Sequence, residues 1–523
     1  MKHLKKITAM LLALLLVVGL TACGAQEEVF AVHVDLPEEL TTLDPAMVTN
    51  DAERTVVSHL YENLMKLTHL GEGQVGLANG LAANYECVNN LDGTQTYTFS
   101  LRPGITWSDG EPVKAEDFVY AWQRLVDPAT ESPNAQVLEM VAGYAEARKK
   151  GDMSLLQVSA PDERTLVVAL SRSCPNFPQL VCTQAATMPL RADVVERSNW
   201  DTPQATLVVN GAYRVVKARQ NGVLTLTSDS SYHDVRRLGP EELQFTFGGS
   251  GAEEADFVLT YEGVEDETLW QSAPVARTGA LVINQMATLS EELRLAMGLV
   301  IDRQELSDLL GSVYVPAEGL IPHGIRNTQG AEFRSAAGML IDSDPETYED
   351  RCQQAKDILG YQTIPENVTL LYVSDPATAA VARTLRRTWE EKLGLKTTLE
   401  AVEQEAMLDA LQKGEFTAAL VMMESQSNDP AELLQQWTSA SKENYAQIHN
   451  SAYDLLLQVS EKSASEVARD AYLADAERML LESGYVAPIC HASGNWKLNE
   501  TLQGVFHDGF GRFFFTGVVE KAK

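Results

Sequence analysis

Residues Tyr97–Pro128 read YTFSLRPGITWSDGEPVKAEDFVYAWQRLVDP. The first part alternates, with Tyr97, Phe99 and Leu101 on one side of the chain, which is the pattern of a strand buried on one face. Ser108-Asp109-Gly110 then supplies turn chemistry. From Glu116 to Leu125 the apolar period lengthens to that of a helix, placing Phe118, Trp122 and Leu125 on a common face. A strand, a tight turn and an amphipathic helix follow one another here, the building unit of a mixed α/β protein.

Outward from this stretch the same alphabet continues. Towards the N-terminus there is a strand-like run Val29 to Val34, a turn at Thr42-Leu43-Asp44-Pro45, and a helical pattern through Val56, Leu60 and Leu64. Beyond it come a strand Thr165 to Leu170, a helical segment Arg191 to Arg197, and Gly211 to Ser228, two strands paired about Asn221-Gly222. From Leu281 onward strands and helices alternate. The pattern predicts strands at Leu281 to Ile283, Val368 to Val373, Lys396 to Ala401 and Ala418 to Met423, and helices at Glu291 to Ile301, Gln304 to Leu310, Thr378 to Leu393 and Gln404 to Gln412. Such alternation implies crossover connections and a mainly parallel sheet. Ligands of such sheets sit beyond the carboxyl ends of the strands, the place taken by Glu424 to Asn428.

The chain has 523 residues, 45% of them hydrophobic and 22% charged, so more than one compact lobe is expected. With 41 basic and 73 acidic residues its formal net charge is -32, which argues against binding a nucleic-acid backbone. Residues 1–22 have a basic start and an apolar stretch from Ile7 to Leu20, the layout of a secretory signal. That stretch is shorter than the roughly 20 residues a spanning helix needs. Cys23 directly follows Leu20-Thr21-Ala22, which resembles the lipobox of bacterial lipoproteins; the resemblance implies lipidation of Cys23 and a tether to the membrane surface. Of the remaining cysteines, Cys174 and Cys182 are near enough in sequence for a local disulfide, and buried free thiols are the equal alternative. No cysteine or histidine spacing suggests a metal site, and no cofactor is expected. There is no Gly-x-Ser-x-Gly elbow and no His-Glu-x-x-His helix, so a hydrolase is not the reading of choice.

Tyr97–Pro128 resembles the strand, Trp-Ser-Asp-Gly turn and helix of the family-5 extracytoplasmic solute-binding proteins, which serve oligopeptide, dipeptide and nickel ABC importers. Trp122-Gln123-Arg124-Leu125 leans towards the oligopeptide branch. Leu43-Asp44-Pro45, Leu60-Tyr61-Glu62-Asn63-Leu64, Asn210-Gly211-Ala212-Tyr213, the run Arg294 to Arg303 (RLAMGLVIDR) and Pro316 to Pro322 (PAEGLIP) are similar to further family segments, in family order. Most are scaffold: Trp107 and Asp109 are assigned to a turn, Phe118 and Trp122 to a core, and Asp302-Arg303 to the close of a helix. The resemblance implies a class II periplasmic-binding-protein-like fold of two lobes, with an extra inserted α/β domain. Its expected division is lobe I at 23–61, 188–283 and 493–523, the inserted domain at 62–187, and lobe II at 284–492.

The same resemblance implies a non-enzymatic receptor, a monomer held at the outer face of a bacterial cell membrane, which closes over a peptide and presents it to an ABC permease and its ATPase. In the oligopeptide branch a Trp-x-x-Asp pattern after a strand anchors the ligand's amine. Here those positions hold Met423 and Gln426, and a neutral amide offers no charge to an ammonium. Glu424 shares a face with Gln426 on an extended chain and is the candidate replacement. Thr49 and Asp51 fall in the segment expected to lend backbone groups, while Asn134 and Gln404 take positions that are commonly aromatic. The alternative readings are a binder of another small solute, such as an oligosaccharide or a modified peptide, and a sensor or adhesin with the same fold.

Overall fold

A computed structural model describes residues 29–522, apart from 72–73, 203–206, 265, 363, 366, 426 and 464. The signal segment 1–22, Cys23 and Gln426 lie outside the described residues. Among the described residues no helix is long and apolar enough to cross a membrane.

The opening stretch folds as its pattern dictates. Gln95–Leu101 is a strand with alternating burial, and Ala115–Val126 is a helix whose Phe118 and Trp122 are fully buried. Asp117 anchors the helix start, accepting from the Trp107 indole at 3.0 Å and from the Lys114 backbone at 2.9 Å. Near the helix end Arg124 reaches back to Asp44 with two nitrogens, one of them at 3.0 Å. Trp122 donates to the Thr187 carbonyl at 2.9 Å. The strand belongs to a four-stranded antiparallel sheet with Ala82–Asn89, Thr165–Leu170 and Val158–Asp162. Other family-like segments dock on one another in the same way: Asn210 exchanges hydrogen bonds with the Glu62 backbone at 3.3 and 3.1 Å.

The main sheet has eleven strands. In order they are Thr397–Val402, Val368–Val373, Ala418–Glu424, Gln271–Ile283, Val486–Leu498, Phe257–Thr260, Ala31–Leu36, Glu242–Phe247, Val223–Ser228 and Tyr213–Gln220, with Tyr314–Pro316 on the side of Val486–Leu498. The last two main strands form the expected hairpin, and Asn221 and Gly222 both adopt the left-handed conformation its turn requires. The expectation of a mainly parallel sheet after Leu281 is corrected. Val368–Val373, Thr397–Val402 and Ala418–Glu424 run parallel to one another, with helices between them as expected, whereas Gln271–Ile283 pairs antiparallel with both Ala418–Glu424 and Val486–Leu498. The physical reason is that these two 13-residue strands do not belong to crossover units; they run from one half of the molecule to the other.

The apolar cores show the division. One cluster runs from Val32 to Ala273 and resumes in the C-terminal segment at Phe513, Phe515 and Val518, uniting the antiparallel sheet with the Ala31 side of the main sheet. Two others cover opposite faces of the remaining strands, one containing Ala276 and Met423, the other Leu281, Leu420 and Cys490. The boundary on Gln271–Ile283 therefore falls between Ala273 and Ala276, where the register against Val486–Leu498 shifts between Pro274 and Thr278. Two smaller differences concern helix ends. Asp302 opens the helix Arg303–Leu310 as its N-cap instead of closing the previous one, and the helical reading of Arg191 to Arg197 shrinks to Ala192–Val195. Cys174 and Cys182 are both free and buried, so the disulfide alternative is not formed.

Candidate functional site

A cleft opens where the cores part, and the two crossing strands form its base. Arg277 sits within the register shift of Gln271–Ile283 and faces Glu424 at the end of Ala418–Glu424. Its Nε lies 3.1 Å from Glu424 Oε2, with both side chains about one-third exposed at 30% and 38%. The Arg277 guanidinium also lies over the Tyr261 ring, 5.8 Å from its centroid. Tyr261 in turn donates to Asp51 Oδ2 at 2.8 Å, and Arg54 holds Asp51 Oδ1 at 2.9 Å. Burial, and then the adjacent Asp51, push the Tyr261 hydroxyl well above its ordinary value, so it stays a donor.

Glu38, just after the strand Ala31–Leu36, closes the group. Its Oε2 accepts the backbone N–H groups of Asp51 and Ala52, at 2.8 and 3.2 Å, at the start of the helix Asp51–Leu60. Burial first and Asp51 second raise the Glu38 carboxyl above the usual carboxylate range. Three carboxylates, Glu38, Asp51 and Glu424, thus share this floor with two guanidiniums, Arg54 and Arg277. Carboxylates from both halves of the molecule meet there with one negative charge in excess.

Beyond the floor, a cavity of about 320 Å³ lies between the inserted segment and the far half, lined by Arg54, Asn134, Cys174 and Gln184 on one side and Ser427 and Asp429 on the other. Asp429 starts the helix Pro430–Gln435 by accepting from Ala431 N at 3.0 Å, and its other oxygen takes Arg469 at 2.6 Å.

The candidate residues are placed unequally. Asp51 and Glu424 come together in the charged floor. Thr49 is exposed, and its backbone N–H is held by Glu53 at 2.7 Å. Asn134 spends its amide on the Ala46 and Val48 carbonyls, at 3.2 and 2.8 Å, and so ties the inserted segment to the chain leading into the cleft. Met423 is 4% exposed and packs in the core, on the opposite side of its strand from Glu424. Gln404 is exposed at the start of Gln404–Lys413, on the rim of a separate apolar chamber. Glu38, Tyr261, Arg54 and Arg277 escaped the sequence reading. Arg54 carried a local signal, since it follows Asp51 by three residues on a helix. Arg277 carried none, because its partner lies 147 positions away.

A lobed α/β body with a charged cleft across two shared strands is the architecture of a solute-binding protein. The sequence profile described as bacterial extracellular solute-binding proteins, family 5 middle, matches residues 77–445, and the chain belongs to that family. It is 24% identical to the oligopeptide-binding protein OppA of Bacillus subtilis over 92% of this chain and 91% of that one. It is 28% identical to the periplasmic murein peptide-binding protein MppA of Escherichia coli, over 90% and 89% of the two chains. The fold matches the unliganded open form of MppA with a TM-score of 0.79, at 25% identity, over 94% of this chain and 98% of that one. A second structure of MppA, at 25% identity over 94% and 97%, gives 0.67. Both of these relatives are peptide-binding proteins, and the chain has the substrate-binding role of its family.

Proposed function

We propose that this protein is the receptor of an ABC importer, captures peptides between its lobes and delivers them to the permease and its ATPase. In this reading residues 1–22 are removed on export, Cys23 carries lipid, and a monomer is tethered at the outer face of the membrane. Lobe I comprises 23–61, 188–283 and 493–523, lobe II comprises 284–492, and 62–187 is the inserted domain, except that on the strand Gln271–Ile283 lobe I ends between Ala273 and Ala276, where the cores part.

The observation that carries the proposal is the surplus carboxylate at the cleft floor. An ammonium group entering there restores neutrality and bonds to acceptors from both lobes at once, which favours the closed form. Glu424 receives the amine, oriented by Arg277, since a carboxylate has acceptor sites left after pairing with a guanidinium. Asp51 and Glu38 supply the opposing charge from lobe I. Thr49 lends its backbone carbonyl, and Gln426 is assigned the role of a neutral acceptor. Met423 and Asn134 support this wall from behind, and Gln404 borders the apolar chamber beside it.

Calorimetry with tripeptides, free or acetylated at the N-terminus, tests the assignment. Free-amine peptides bind the native protein, and Glu424→Gln weakens them by about tenfold or more, the scale of a charge-assisted hydrogen bond, while leaving acetylated peptides little changed. Equal losses for both kinds remove Glu424 as the amine site. An oligosaccharide that raises the melting temperature where no peptide does overturns the peptide reading altogether.

A further inference from the structure

Two residues before Glu424, and on the same face of its strand, Met422 is 46% exposed. It forms part of a chamber of about 380 Å³ at the carboxyl ends of the lobe II strands, walled by Leu408, Leu411, Leu420, Val381 and Ile489. Leu408, across from it, is likewise 44% exposed. Large apolar side chains left half-open around one concavity mark a binding surface. Gly279, opposite Met422 in register, keeps the entrance clear; a Cβ there would lie 2.8 Å from Cys490 Sγ and 3.4 Å from Met422 Cε. The lining holds a single charged residue, Asp375, whose carboxylate caps the helix Pro376–Thr388 by accepting from Thr378 N at 2.9 Å. Among the described residues no cation lines the chamber.

We infer that this chamber receives an apolar side chain of the ligand, so that the receptor selects peptides carrying a large hydrophobic residue close to the amine end. This rests on the peptide reading above, which places the amine at Glu424. Met422 lies one two-residue step along the strand from there, roughly 7 Å. Thioether flexibility at Met422 and Met407 lets the walls fit Leu, Met or Phe in turn. An acidic side chain entering would lose its water without gaining a cation, and would face Asp375.

The test is calorimetry with free-amine tripeptides in which each position in turn is Ala, Leu, Phe, Lys or Asp. At one position Leu and Phe bind about tenfold or more tighter than Ala, and Asp binds weaker than Ala. Met422→Lys abolishes the preference, and so does Leu408→Gln; both sites are half-exposed and tolerate the change. Equal affinities across the five side chains, or a preference intact in both variants, overturn the inference. Failure of the peptide reading looks different. No tripeptide then binds, yet the neutral apolar dye Nile red still gains emission on the native protein and loses it on Met422→Lys. A dye response absent from the native protein, or unchanged in Met422→Lys, overturns the chamber itself.

Discussion

Glu477 lies mid-helix in Glu466–Glu482 with no exposed surface, and its carboxylate is shared by three donors. Oε1 accepts the backbone N–H groups of Leu320 and Ile321 at 2.7 and 3.0 Å, while Oε2 takes Arg334, itself 2% exposed. A Cβ on Gly319 would stand 1.7 Å from Arg334 Nη1, so the run PAEGLIP is a lid folded onto this ion pair. Arg334→Met leaves a buried carboxylate without its cation and should cost about 3–5 kcal/mol by urea denaturation; a loss under about 1 kcal/mol would contradict that account. Two buried histidines set a pH dependence. Burial lowers His59 to about 4 and His491 to about 3, from an ordinary value of 6.5. Their neutral forms are favoured in the fold, so the stability they contribute is whole above pH 6.5 and is lost as pH falls from there towards 4 and 3. His323 shifts the other way, raised chiefly by its hydrogen bond to Glu332, and its contribution fades as pH rises past 6.5. His59→Gln isolates one site: between pH 6 and 4.5 its stability should fall less steeply than native by about 1 kcal/mol per pH unit, and parallel curves would remove His59 from the account. At this scale the sequence revealed which way Glu424 faces, because alternation is local; it hid Arg277 and Tyr261, which reach the site only through long-range pairing.

Elements with one dominant signal were legible. Val368–Val373 and Thr165–Leu170 fall where alternation and β-branched residues put them, and the Asn221-Gly222 turn fixed its hairpin. The crossing strands were not legible over their length. Gln271–Ile283 carries Pro274 and Arg277, and Val486–Leu498 contains His491, Ser493 and Asn495, polar residues buried by neighbours on both sides. The helix Glu466–Glu482 hid for a related reason: it buries Arg469 and Glu477 along with its apolar residues, which blurs a single apolar face. The helix Ala115–Val126 was easy to read, yet its tie to the cleft was not. Arg124 clamps Asp44, which also caps the turn Pro45–Met47 through Ala46 N at 3.0 Å, just before the segment carrying Thr49 and Asp51. Asp44→Asn keeps the cap and removes the charge. It should cost about 1.5–3 kcal/mol in thermal or urea unfolding, and a neutral outcome would mean the clamp adds nothing beyond the cap.

The two-lobed class followed from ordered family-like segments, but the position of the hinge needed the cores. Apolar packing is continuous within each half and changes partner on the crossing strands between Ala273 and Ala276, at the irregular register that carries Arg277. The C-terminal segment spans the divide as well, with Phe510 in the far core and Phe513 and Phe515 in the near one. The packed clusters on either side are separate, so the strands between them are where the halves can bend relative to one another, the mechanics of a hinge. A hinge of this kind admits an open and a closed arrangement of the two halves. A ligand shifts such an equilibrium only by its preference for the closed form, and the floor supplies one because its carboxylates come from both lobes. Small-angle scattering should therefore show the radius of gyration falling when a saturating free-amine peptide is added, with less contraction in Glu424→Gln at the same peptide concentration. If calorimetry shows full occupancy and the radius stays constant, the ligand is held by one lobe alone, and the charged floor serves the fold instead of closure.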